Sequence, residues 1–76
     1  MDDVRDKLNR CFALAFPHLD PTLYPAASAL NLGEWDSIAQ LTLLTLVGEE
    51  FGIEIDFEDF EGATSYEALE RQLRLA

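Results

Sequence analysis

The sequence predicts an all-α fold: a four-helix bundle with three long helices, one short helix and a long first loop. Two separated segments carry apolar residues at helical spacing, and residues typical of helix caps precede or follow them. No two segments alternate in a way that would form a paired sheet. Seventy-six residues fit one domain, spanning 1–76.

The first predicted helix runs from about Asp3 to Phe16. Acidic residues at Asp2 and Asp3 complement its positive end, and Pro17 ends it. Its apolar face holds Val4, Leu8, Cys11, Phe12 and Ala15. Because Cys11 lies on this face, we expect a buried thiol rather than a reactive one.

Residues 17–36 form a long connection that contains three prolines. A loop of this length without structure is uncommon in a compact domain. We therefore expect a helical turn near Pro21–Tyr24 and a set of apolar residues that hold the loop on the core: Leu19, Leu23, Tyr24, Leu30 and Leu32.

The second predicted helix spans Ser37 to Phe51 and ends at a left-handed Gly52. It is apolar over much of its circumference, which is typical of a helix at the centre of a bundle. Two start signals compete: Asp36 as N-cap, or Ser37 and Gln40 as a capping box. We favour Asp36, since this leaves the Ser37 hydroxyl free and outward.

After this helix, residues 51–57 alternate like a strand but have no partner, so we expect an extended loop held by Ile53 and Ile55. The short helix is predicted at Phe57–Phe60. The last helix is predicted from Thr64, with Glu67 completing a capping box. Three of its residues should face inward: Tyr66, Leu69 and Leu73.

The net charge is −10, and residues 34–61 contain nine acidic and no basic side chains. Nucleic acid and anionic membranes are excluded as partners because both require positive charge. The acidic run has two interpretations: a solvated, solubilising face, or a docking surface for basic patches. No apolar run could span a membrane, and the acidic start does not resemble a signal peptide. We expect a cytoplasmic monomer.

Residues 33–38 read Gly-Glu-Trp-Asp-Ser-Ile and open directly onto the second predicted helix. This motif, the long first loop and the Glu-Glu-Phe-Gly-Ile segment at 49–53 resemble the acyl carrier protein family. That family has an Asp-Ser-Leu motif, and Ile38 replaces its leucine here. We expect the preceding Trp35 to pack in the core rather than to shield the motif.

The resemblance implies the acyl-carrier type of fold and a 4′-phosphopantetheine arm on Ser37, with Asp36 as part of the motif. A phosphopantetheinyl transferase would attach the arm from coenzyme A, and its thiol would hold cargo as a thioester. The implied partners are acyl-loading and acyl-processing enzymes with basic docking patches. The implied pathways are fatty-acid-like, polyketide or other specialised biosynthesis.

The residues themselves do not indicate an enzyme. A serine hydrolase needs a base, an orienting acid and an oxyanion hole, and the one histidine, His18, falls in the first loop. Residues 56–67 have acids at both ends but fail as a calcium loop, because Phe60 occupies the fifth position and the glycine is one place late. We expect no catalytic residue and no metal site.

The helix after Ser37 distinguishes carrier subtypes. Fatty-acid carriers often have charges on its exposed face, and here Glu49 alone keeps one, while four uncharged residues occupy the other positions: Ala39, Thr42, Thr45 and Gly48. Peptidyl carriers have a Gly-Gly-x-Ser-Leu motif, which this chain does not match. We favour a specialised stand-alone acyl carrier. The alternatives are a peptidyl or aminoacyl carrier, and an unmodified acidic module that binds a basic protein surface through residues 49–61.

Partner contact is predicted along one stripe of this helix, whose members are spaced by four, three and four residues: Ile38, Thr42, Thr45 and Glu49. Glu49 would act mainly by electrostatic steering. Gly48 beside the stripe would let a partner approach closely.

Overall fold

The computed structural model describes residues 3–75 and contains four helices in this part of the chain. They are α1 (Asp3–Ala15), a 3₁₀ helix (Pro21–Ala26), α2 (Ser37–Phe51) and α3 (Tyr66–Leu75). The predicted all-α fold with three long helices and one short helix is confirmed. Asp2, expected to complement the start of α1, lies outside the described residues.

The short helix lies in a different place from the one predicted. Residues 57–62 form consecutive turns, so the helix at Phe57–Phe60 is wrong, whereas the helical turn in the first loop is confirmed as the 3₁₀ helix. The Asp56 carboxylate accepts a hydrogen bond from Glu58 N at 3.0 Å. Such a local bond offers the backbone an alternative to a helical turn.

The start predicted for the last helix is also wrong. Helix α3 begins at Tyr66, and Ser65 caps it by accepting a hydrogen bond from Ala68 N to Oγ at 3.1 Å. Thr64 instead extends along the first loop, where its carbonyl accepts from Ala29 N at 2.8 Å. Helix α3 therefore begins two residues later than predicted, because Thr64 pairs with the first loop.

Two of the leucines expected to hold the first loop do not do so. Leu19 and Leu32 pack partly against the core, but Leu23 is exposed and Leu30 is 99% exposed. Polar contacts hold the loop instead: the Asn31 side chain accepts from Ser28 N at 3.0 Å and donates to the Ala26 carbonyl at 2.8 Å. Side-chain bonds to the backbone thus replace apolar packing there.

The core is centred on the ring of Phe12 from α1. Four aromatic rings lie around it with centroid distances of 5.1 to 5.6 Å: Phe16, Tyr24, Trp35 and Tyr66. Trp35 is 4% exposed, which confirms its packing role. Cys11 is buried, as predicted, and burial raises the pKa of its thiol to about 11.

Helix α1, rather than α2, occupies the central position. It contacts α2, α3 and the 3₁₀ helix, whereas α2 contacts α1 alone among the described helices. The expectation from the apolar circumference of α2 is therefore wrong. Leu43, Leu44 and Val47 are buried, but Leu41 remains 54% exposed on a side that no helix covers.

Two glycines shape the end of α2. Gly52 has a φ of 64°, which confirms the predicted left-handed cap. Gly48 is half-buried, and a Cβ placed there would lie 3.1 Å from Ile55 Cγ1 and 3.3 Å from the Ile53 carbonyl. Gly48 therefore admits the chain's own extended loop, and the predicted close approach of a partner at this residue is wrong.

Candidate functional site

The motif at 33–38 folds as a tight entry into α2. Trp35 N donates to the Leu32 carbonyl and Asp36 N donates to the Glu34 carbonyl, each at 3.0 Å. Asp36 is extended, and its carboxylate accepts from Ala39 N at 2.9 Å. The predicted N-cap at Asp36 is confirmed. The capping box between Ser37 and Gln40 does not form, because the Gln40 side chain bonds elsewhere.

Ser37 is the first residue of α2, and its side chain is exposed. Its hydroxyl forms no hydrogen bond with any residue from 3 to 75, as expected if Asp36 caps the helix. The N–H groups of Ser37 and Ile38 lack an intrahelical partner because they belong to the first turn. These donors and the helix dipole favour a negatively charged group at this position. The site thus offers an accessible alcohol beside an anion-stabilising helix end.

A groove of about 690 Å³ lies beside Ser37. Its apolar lining consists of Ala29, Trp35, Leu41, Leu44 and Phe57. Its polar lining consists of Asp36, Ser37, Gln40, Glu58, Glu61 and Thr64. Phe57 is 49% exposed and Leu41 is similarly exposed, so the groove presents apolar surface to solvent. Such a surface suits an apolar ligand, including one attached to the adjacent Ser37.

Gln40 joins the two walls of this groove. Its Oε1 accepts from Trp35 Nε1 at 2.6 Å, and its Nε2 donates to the carbonyls of Phe60 at 3.4 Å and Ala63 at 3.1 Å. The sequence suggested Gln40 only as part of a capping box. A signal was available nevertheless, because a buried indole N–H needs an acceptor and Gln40 lies five residues after Trp35.

The four residues predicted for partner contact all lie exposed on α2: Ile38, Thr42, Thr45 and Glu49. Ile38 is 75% exposed, although it is a large apolar residue. The Thr45 hydroxyl donates to the Leu41 carbonyl one turn earlier at 2.9 Å. The Thr45 hydroxyl is therefore already partnered within the helix, whereas the exposed Thr42 hydroxyl forms no hydrogen bond within residues 3–75.

Charge is unevenly distributed around the site. Among the nine acids of residues 34–61, Glu50 is the one that forms an ion pair within the described chain, to Arg10 Nε at 2.6 Å. The contact also raises the pKa of Arg10. His18 is exposed in the first loop. Residues 3–75 contain no group of three or more His, Cys, Asp or Glu side chains that could hold a metal ion, and no helix in that range could cross a membrane.

Comparison with protein families matches residues 6–73 to the family described as phosphopantetheine attachment site. The matched region includes all of α2, the groove and the Asp36-Ser37 pair. Comparisons with curated proteins and with solved structures give no match.

Proposed function

The chain belongs to the phosphopantetheine-attachment family, and from this premise we propose that Ser37 is the residue that carries the prosthetic group. Members of the family bear 4′-phosphopantetheine covalently, and their carrier domains are not themselves catalytic. The chain is therefore a carrier protein that interacts with a phosphopantetheinyl transferase and with biosynthetic enzymes.

One observation supports Ser37 above the other serines. The chain has three, at positions 28, 37 and 65. Ser28 and Ser65 are half-buried and pair with each other through an isolated bridge, and the Ser65 hydroxyl also caps α3. Ser37 alone of the three is exposed. A transferase can reach its hydroxyl without unfolding a turn.

The residues at the site fit the group. In the attachment reaction, Ser37 Oγ would lose its proton and bond to the diphosphate phosphorus of coenzyme A that bears pantetheine. The bond from that phosphorus to the bridging oxygen would break, and adenosine 3′,5′-bisphosphate would leave. The N–H groups of Ser37 and Ile38 would hold the resulting phosphodiester. The Asp36 carboxylate, already engaged with Ala39 N, holds the helix start in place. When bound, the arm supplies a terminal thiol for a thioester.

The groove supports an acyl cargo. Most of its lining surface is apolar, and Ser37 lies at its edge. An apolar chain on an arm attached to Ser37 could therefore enter the groove and be removed from water. We propose an acyl carrier of fatty-acid-like, polyketide or other specialised biosynthesis.

Mass spectrometry tests attachment at Ser37. The unmodified protein is incubated with coenzyme A, magnesium and a promiscuous phosphopantetheinyl transferase. We expect the mass gain of one phosphopantetheine in the wild type and in Ser28→Ala, and none in Ser37→Ala. No gain in the wild type, with a control carrier modified in parallel, would favour the unmodified acidic module instead.

The stripe Ile38, Thr42, Thr45 and Glu49 is proposed as the docking face. Its exposure and the apolar side chain of Ile38 support packing contacts, and Glu49 supports steering. Steering acts on association and packing acts on dissociation. Binding kinetics with the transferase should therefore show slower, salt-dependent association for Glu49→Lys, and faster dissociation with little salt dependence for Thr45→Arg.

Glu67→Lys provides the matched control, since Glu67 is an exposed acid on α3 rather than on α2. It should change association less than Glu49→Lys. Intact binding by a folded Thr45→Arg protein would show that the stripe is not the docking face.

A further inference from the structure

The groove is bounded by parts of the chain that few contacts hold together. Helices α2 and α3 do not contact each other among the described elements. The wall opposite α2 is the segment 57–63, whose turns at 57–62 contribute Phe57, Glu58 and Glu61. Among the described residues of α2, Gln40 alone forms hydrogen bonds to this wall. It forms two, to the carbonyls of Phe60 and Ala63.

The Gln40 amide fits this place in only one orientation. The indole of Trp35 is a donor and needs an acceptor, and the carbonyl of Ala63 is an acceptor and needs a donor. The Phe60 carbonyl already accepts from Ala63 N at 3.0 Å, and the Gln40 amide adds a second, longer bond to it. An amide with Oε1 toward the indole and Nε2 toward the carbonyls satisfies all three. A carboxylate could serve only the indole, and an apolar side chain could serve none.

We infer that Gln40 is a positioning residue: it holds the wall at 57–63 against Trp35 and α2, and so sets the shape of the groove that shelters cargo. The inference rests on the proposed function, because it assigns the groove to cargo carried on Ser37. It adds a determinant of cargo protection that is separate from the attachment residue.

The effect of removing the amide follows from burial. Ala63 and Trp35 are buried, so the Ala63 carbonyl and the Trp35 indole N–H would lose a partner where water has little access, whereas the Phe60 carbonyl keeps the bond from Ala63 N. The wall can restore these bonds by moving outward to admit water. Phe60 and Ala63 also pack in the core, which keeps the segment attached while its position relaxes. Loss of Gln40 therefore loosens the wall without unfolding the bundle.

Gln40→Met tests this with little change in shape. Asn31→Leu is the matched control: it removes a side-chain amide that also bonds two backbone groups, to Ser28 and Ala26, but that does not line the groove. Both variants are compared with the wild type, first without the arm and then with the arm attached.

In the unmodified protein, amide hydrogen exchange measures the wall directly. The amides of Phe60 and Ala63 donate to the Asp56 and Phe60 carbonyls, so they exchange only when the wall opens. In Gln40→Met we expect both to exchange about tenfold faster, because a wall without the Gln40 bonds opens more often. The amide of Phe16, at the end of α1, should keep its wild-type rate. Trp35, the one tryptophan, should emit at longer wavelength. Equal acceleration at all three amides would show a general loss of stability and overturn the inference.

In the loaded protein, the transferase attaches arms that carry an acetyl or an octanoyl group, and hydroxylamine cleaves the thioester. We expect octanoyl to react more slowly than acetyl in the wild type and in Asn31→Leu, and Gln40→Met to lose most of this difference. An unchanged difference in Gln40→Met would overturn the inference, as would equal rates for the two chains in the wild type.

These failures are distinguishable from failure of the proposed function. If Ser37 takes no arm, the carrier assignment fails while the hydrogen exchange of the unmodified protein still decides whether Gln40 holds the wall. If Ser37 takes the arm but the chain lengths react alike, attachment stands and the sheltering groove does not.

Discussion

Two sides of this small bundle are built differently. The closed side comprises α1, α3 and the 3₁₀ helix, which contact one another around the aromatic cluster. The open side comprises the start of α2, the groove and the turns at 57–62, where no helix covers the apolar surface. The contrast shows that the packing which stabilises the fold lies on one side, and it agrees with the proposal that the other side receives a cargo and its enzymes.

Charge follows the same division. On the closed side, Glu70 of α3 accepts from Arg5 Nε and from Arg74 Nη2, each at 2.8 Å, and these guanidinium groups lower the pKa of Glu70. The acids that line the open groove, Asp36, Glu58 and Glu61, form no ion pair within residues 3–75. The open side therefore presents a negative field that is not neutralised internally.

The largest expected effect is on the free energy of unfolding, when a phenylalanine is replaced by alanine on the closed side or on the open side. Phe12→Ala should cost about 3–5 kcal/mol, because it empties the centre of the core. Since a chain of this size has a total stability of about 4–11 kcal/mol, much of the protein should unfold. Phe57→Ala should cost below about 1 kcal/mol, because that ring is half exposed. Urea unfolding measures both.

If Phe57→Ala proved as costly as Phe12→Ala, the division into two sides would be wrong. Phe57→Ala should instead act on the loaded protein, where it removes part of the groove lining. The octanoyl thioester should then lose some of its protection from hydroxylamine relative to acetyl. The stability measurement and the cargo measurement thus separate the two sides.

The second prediction concerns the thiol on the closed side. Burial raises the pKa of Cys11 from 9.0 to about 11, which lowers the thiolate fraction roughly a hundredfold near pH 8. Iodoacetamide should therefore label Cys11 slowly in the folded protein and rapidly in urea. Because the folded state retains the proton, stability should be constant below about pH 9 and fall as pH rises toward 11.

Labelling at the same rate in folded and unfolded protein would contradict the closed packing of α1. Cys11→Ala provides the control for the pH dependence. Its unfolding free energy should fall less than that of the wild type between pH 9 and 11.

The sequence predicted local features well and the open side poorly. The helix bounds of α2, the Asp36 cap and the left-handed Gly52 follow from neighbouring residues and were all correct. The start of α3 was not, because Thr64 pairs with a loop that lies far away in the sequence. The groove depends on Gln40 meeting Phe60, twenty residues later. Helical spacing does not encode that contact.

A smaller effect tests how the open side is held in place. Asp36→Ala should cost about 1 kcal/mol, the usual effect of losing an N-cap. Asp36→Asn should cost less, since its amide oxygen can still accept from Ala39 N. Ser37→Ala should be nearly neutral in the unmodified protein because its hydroxyl has no partner among the described residues. A larger loss from Ser37→Ala than from Asp36→Ala would reverse the assigned roles.

The smallest effect compares two neighbouring acids at the end of α2. Glu50 pairs with Arg10 of the closed side, whereas Glu49 is exposed and forms no ion pair within residues 3–75. Both carboxylates lie near the negative end of the helix, which is unfavourable for an unpaired acid. Glu49→Gln should therefore raise the urea midpoint and Glu50→Gln should lower it, each by less than the loss of the Asp36 cap.

Salt should reduce both differences, because it screens exposed charges. If both variants shifted the midpoint in the same direction, the Arg10 contact would contribute nothing, and the charge difference between the two sides would not affect stability.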